Sequence, residues 1–211
     1  MVITYIFFLG LFFAMIGVIP PGLLNMTAAK VSLKEGHVRG IVFSAGACTV
    51  VFIQTYIATL FASYLSKHYE IIEVLQRVAF VIFVLITVYF LFIAKSQAQQ
   101  KESREVKSKH SRYFQGVLLS AINVFPIPYQ AYITITLASA GWMDFEKFSI
   151  LSYVSGATMG TFVMLYVYIF FFDKIKSKTF TSQKNMNYII GTITGVISIV
   201  TLINIIKDMI L

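Results

Sequence analysis

Long apolar runs alternate with short polar connections along almost the whole chain. The first run extends from about Val2 to Ala29 and is interrupted by Pro20-Pro21-Gly22. A polar connection, Lys30 to Arg39, leads into a second run at roughly Gly40 to Tyr64 and a third at Ile72 to Ala94. The segment Lys95–Arg112 is rich in Lys, Gln, Ser and Glu and reads as a solvated loop. Three further runs follow, at about Tyr113 to Ala140, Phe148 to Phe172 and Met186 to Ile206. Each run is long enough to cross a hydrocarbon layer about 30 Å thick, which takes a helix of about 20 apolar residues. The pattern predicts an all-α integral membrane protein of about six transmembrane helices.

The long loop divides the chain into residues 1–94, a hydrophilic stretch 95–112, and residues 113–211. The halves resemble each other. Pro20 and Pro21 interrupt the first helix, and Pro126 and Pro128 interrupt the fourth. The second helix carries Gly40, Ser44 and Cys48 on one face, and the fifth carries Ser152, Gly156 and Gly160 at the same spacing. Small residues four apart let another helix approach closely. With an odd number of helices per half, the second half must insert upside down. The expectation is two inverted three-helix repeats, for which interrupted helices at corresponding positions point to a midplane binding site.

Composition fits this reading. Of 211 residues 58% are hydrophobic and 12% charged, against about a quarter charged in soluble domains. The net charge of +8 sits in short loops facing lipid headgroups, so nucleic acid is not expected as a partner. The loops after helices one, three and five hold thirteen of the 17 Lys and Arg, against four elsewhere. Basic residues accumulate in cytoplasmic loops, so the odd-numbered loops are predicted to be cytoplasmic in a multi-pass inner-membrane protein. The start, Met1-Val2-Ile3-Thr4, has no basic residue before the apolar run, and the first segment is expected to remain as a helix.

The interiors of the runs contain almost no ionisable groups. Glu73 and Arg77 share a face near the end of helix three, where pairing or interfacial placement both explain them. His37, His68 and His110 fall in loops and Cys48 is the only cysteine, so no metal centre, cofactor or catalytic group is expected. The proline breaks are different. A proline lacks the N–H that its helix needs, leaving carbonyls that must find other partners inside lipid. A helix restarting at Gly22 points free N–H groups and a positive dipole end toward the break, which suits a carboxylate. Candidate substrate-binding residues are therefore Pro20, Pro21, Gly22 and Asn25 at the first break, and Asn123, Pro126, Pro128 and Gln130 at the second. Gln54 on helix two completes the set. Each amide also reads as a packing hydrogen bond between helices. The aromatic residues read as lipid-facing and belt residues.

The run Pro20-Pro-Gly-Leu-Leu-Asn25, then Gly36-His-Val-Arg-Gly40 and Gly46, resembles the first half of the LysE/RhtB amino-acid exporters. Phe114-Gln-Gly116 and Asn123-Val-Phe-Pro126 resemble the opening of that family's fourth helix. Here the family's Pro-Gly-Pro is Pro-Pro-Gly, its Asn-Pro pair is split, and Thr49-Val50-Val51 stands where many members carry an acid. The resemblance implies a secondary transporter exporting amino acids or related small zwitterions by alternating access. The small size is compatible with a homo-oligomer. A non-transporting membrane scaffold is the alternative from another class, and it would leave the breaks without a water-filled cavity.

Overall fold

A computed structural model of the chain describes residues 2–20, 22–93 and 108–175, with residues 188, 191, 192, 195, 196, 198, 199, 201–203, 205 and 206. Pro21, the stretch 94–107, Lys207 and the side chain of Glu73 lie outside the described residues. The helices are α1 (Val2–Val18), α2 (Leu23–Glu35), α3 (His37–Leu65), α4 (Tyr69–Val88), α5 (Lys109–Ile122), α6 (Pro126–Ser139) and α7 (Lys147–Ile175). A π-helical turn, Tyr89–Ile93, extends α4. The described secondary structure is all helical.

Two helices, α3 and α7, are long and apolar enough to cross a membrane. Two bent pairs, α1 with α2 and α5 with α6, bring the number of candidate spans to four if each pair is one span. The pairs bend by 80° and 64°, respectively. The prolines account for the second bend: Pro126 cannot donate to Ile122, so α5 stops and α6 restarts at Pro126, with proline in its first turn. α5 begins at Lys109, inside the stretch read as loop, where Ser108 Oγ caps it by accepting from Ser111 N–H at 3.1 Å.

The chain forms two compact units, Met1–Ser66 with Arg104–Ile175, and Lys67–Ser103 with Lys176–Leu211. Compactness thus does not follow the two sequential halves. In the first unit each broken helix packs largely on the other half of the chain: α1 on α7, and α5 on α3. Glycines set these contacts. A Cβ on Gly10 would collide with the Tyr153 carbonyl and the Ala157 N, and one on Gly116 with the Phe43 carbonyl and the Ala47 N. Likewise Gly46 lies against the Tyr113 carbonyl and Gly156 against the Phe7 carbonyl. The correspondence is regular. Phe7 and Gly10 precede Tyr113 and Gly116 by one common interval, and Phe43, Gly46 and Ala47 precede Tyr153, Gly156 and Ala157 by another.

The same contacts fix helix direction. Ser152 meets Ile3, Gly156 meets Phe7 and Gly160 meets Leu11, so α1 and α7 run parallel. Gly46 meets Tyr113 and Gln54 meets Ser120, so α3 and α5 run parallel. Gly40 lies against Ile169 and Cys48 against Thr158, so α3 and α7 are antiparallel. It follows that α1 and α5 run in opposite directions. One buried cluster, Leu24, Ala28, Phe43, Ala47, Cys48, Leu165 and Ile169, joins α2, α3 and α7. Another, containing Ile6, Ala14, Leu137, Tyr153 and Ala157, joins α1, α6 and α7. In the second unit, Gly191 approaches Leu91 and Gly195 approaches Thr87.

Candidate functional site

Two interrupted helices leave backbone carbonyls without helical donors, and the first unit supplies side chains to meet them. At the first break the Asn25 amide donates to Val18 O at 2.7 Å and to Pro20 O at 3.0 Å. Tyr168 on α7 donates to the carbonyl between them, Ile19 O, at 2.7 Å. At the second break Gln54 Nε2 donates to Ser120 O at 3.1 Å and Asn123 O at 3.0 Å. Each break is thus held by an amide that bridges two carbonyls, one from α2 itself and one from α3. Unmet carbonyls in lipid are costly, so these bonds are what permits the interruptions.

The two breaks are neighbours. Tyr129, in the first turn of α6, donates its hydroxyl to Phe13 O of α1 at 2.8 Å, and its ring covers Gly17. Gly17 has no side chain to obstruct that ring. The start of α6 and the end of α1 therefore share one region of the bundle.

The helix starts at the two breaks differ chemically. α2 begins after Gly22, whose backbone is extended and supplies no side-chain cap. Its first intrahelical donor is Met26 N–H, to Gly22 O at 3.0 Å, and the N–H groups of the first turn before it point toward the break. α6 begins with Pro126 and Pro128, which have no N–H, and its Ile127 and Tyr129 N–H groups are engaged by Val124 O and Phe125 O. An anion is therefore better served at α2 than at α6.

The other residues singled out from the sequence fall as follows. Gln130 is buried, and its Oε1 accepts from the Tyr153 hydroxyl at 2.6 Å, tying α6 to α7. Asn123 caps α5 with its backbone, its N–H reaching Leu119 O and Ser120 O. Gly40 sits against Ser32, Ala28 and Ile169, Ser44 donates to Gly40 O, and Cys48 lies against α7. Ser152, Gly156 and Gly160 face α1. The two rows of small residues thus meet non-equivalent neighbours, while Gly46 is the residue of α3 placed like Gly156 of α7.

Sequence reading passed over several groups. Tyr153 and Tyr168 are buried hydrogen-bonding residues, not belt aromatics. Thr55 and Ser120 are fully buried hydroxyls. Arg112, read as a loop charge, forms a bidentate ion pair with Glu35, Nε to Oε2 at 2.8 Å and Nη2 to Oε1, and also donates to Gln115 Oε1. A tyrosine hydroxyl or loop charge gives no sequence signal of its partner when that partner is far along the chain.

The family model of the LysE type translocator matches residues 15–204 of this chain. No curated protein and no solved structure matches it.

Proposed function

We propose that this chain, which belongs to the LysE type translocator family, exports amino acids or related small zwitterions across the cytoplasmic membrane by alternating access. The observation that carries this reading is the convergence of two interrupted membrane helices, linked by Tyr129 to Phe13. Half-helix ends at such a place offer partial charges of both signs inside the bilayer.

The fold behind it is read as six membrane helices in two inverted three-helix repeats. The paired glycine contacts and the opposite directions of α1 and α5 support that reading. Inverted repeats exchange inward- and outward-facing states when each adopts the other's conformation, so one site serves both sides. The distribution of Lys and Arg supports cytoplasmic odd-numbered loops.

In this reading the substrate carboxylate sits at the N-terminus of α2, near Gly22 and Pro20, where the N–H groups of the first turn and the helix dipole favour an anion. Asn25 keeps the break open by bridging Val18 O and Pro20 O. Asn123, Pro126, Pro128 and Gln130 shape the opposite wall. The described spans place no carboxylate beside the breaks, which favours zwitterions of neutral side chain over cationic amino acids.

Efflux of a panel of labelled amino acids from cells expressing the chain tests this. Selective export of neutral amino acids, abolished in Asn25→Ala and Asn123→Ala inserted at wild-type levels, is expected. Absence of efflux from well-inserted wild-type protein refutes the reading and favours a scaffold.

A further inference from the structure

Corresponding contacts at the two ends of the first unit are built from opposite chemistry. The interval from Phe7 to Tyr113 is also that from Gly10 to Gly116, from Pro20 to Pro126 and from Ile6 to Arg112. Arg112, in the first turn of α5, meets Glu35 at the end of α2. Ile6, near the start of α1, belongs to a buried apolar cluster with Leu137, in the last turn of α6, and Met143, just beyond that helix. One end of the unit thus joins its broken helices by an ion pair, and the other by apolar packing.

The two ends answer differently to water. Parting an apolar seal uncovers its side chains at a cost that grows with the area exposed. Parting an ion pair loses its attraction, but water then hydrates both charges, whose burial was itself costly. An ion pair therefore holds an end shut while it is dry and releases it once it is wet. The Glu35 and Arg112 side chains are 4% and 11% exposed, so this pair is held in the dry condition here.

Each helix that carries the pair is jointed to its neighbour. α2 follows the break at Pro20 and α5 precedes the one at Pro126, where the helix pairs bend by 80° and 64°. Such element ends are where a chain absorbs the dihedral changes of a hinge. Along its length α2 leans on α3 and α7 through Leu24, Ala28 and Ala29, whereas α5 packs on α3. Glu35 and Arg112 tie the far ends of these two half-helices together.

Building on the alternating-access reading, we propose that Glu35 and Arg112 form the cytoplasmic gate of this chain, paired while that end is closed and parted, each hydrated, while it is open. The end concerned is the one that the distribution of Lys and Arg assigns to the cytoplasm. Ile6, Leu137 and Met143 form the dry seal of the opposite end. The balance between the states then depends on charge. Without Arg112 the Glu35 carboxylate regains hydration only by opening, which favours the open state. With both charges removed that bias is gone and the end stays closed.

Distances between spin labels on the purified full chain in lipid nanodiscs, read by double electron–electron resonance, test the proposal. In a Cys48→Ala background, labels at Leu33→Cys and Lys109→Cys report the gated end, and labels at Tyr5→Cys and Trp142→Cys the opposite one; all four positions are exposed. Arg112→Gln should raise the population of a longer 33–109 distance at least about tenfold and leave the 5–142 distance unchanged. Glu35→Gln reads the same opening should Arg112→Gln not fold, since Arg112 keeps Gln115 Oε1 as an acceptor. The double variant Glu35→Gln with Arg112→Gln should return to the short distance. An unmoved 33–109 distance in both single variants overturns the gate, as does lengthening at both ends or a double variant as open as the single ones. The distances are read without any solute, so export by the wild type together with unmoved distances overturns the gate alone, whereas the efflux panel refutes the export reading itself.

Discussion

Cutting the ion pair between Glu35 and Arg112 is expected to destabilise the first unit far more than the loss of a surface pair. The pair joins the last residue of α2 to the first turn of α5, so it links the two halves of the chain. The side chains of Arg112 and Glu35 are only 11% and 4% exposed. Exposed pairs contribute about 0–1 kcal/mol, but removing one partner of a buried pair costs about 3–5 kcal/mol because a charge is left alone in a poor solvent. Arg112→Gln takes from the buried Glu35 carboxylate its bidentate guanidinium, and Glu35→Gln takes from the guanidinium that carboxylate while leaving its charge. The double variant leaves neither and should be more stable than the sum of the two single losses implies. Cys48 is the only cysteine and is 7% exposed, so its labelling by a thiol-reactive fluorophore reports unfolding in nanodiscs. Single variants within about 1 kcal/mol of wild type, or losses that simply add in the double variant, would refute the placement of this pair.

Three other outcomes follow from the same contacts. Gly116→Ala should disrupt the fold more than Gly17→Ala, because its Cβ meets the backbone of Phe43 and Ala47, whereas at Gly17 it meets only the Tyr129 ring; thermal scans of both variants compare the costs, and equal losses would count against the close crossing. Tyr168→Phe strips the donor from Ile19 O and should cost about 0.5–1.5 kcal/mol for a part-buried hydrogen bond lost, read as a lower Tm. A reporter inserted between residues 95 and 107 should be active only in its cytoplasmic form, and periplasmic activity there would reverse the orientation.

Much of the architecture is legible before folding because it depends on transfer of apolar segments into lipid, which is a local property. The apolar runs mark α3 and α7 to within a few residues of the described helices. Pro20 and Pro126 mark both interruptions, since a missing N–H acts wherever proline stands. Gly22 as the start of α2 follows from the same local logic. Charge counting in the loops sets the expected orientation without any tertiary contact.

Which groups meet across the bundle was settled only by tertiary structure. Gly46, not the row Gly40, Ser44 and Cys48, is the close-approach residue of α3 toward α5, because helix rotation is fixed by packing against several neighbours at once. Asn25 and Gln54 turn out to bridge the carbonyls of the breaks, an outcome that depends on where α1 and α5 end in space. Arg112 finds Glu35 across the chain. Sequence determines where the long apolar helices α3 and α7 run and where the other pairs must break, through hydrophobic transfer and the missing proline N–H. Only the tertiary structure decides which side chain satisfies each exposed carbonyl, because a hydrogen bond depends on separation in space and not along the chain.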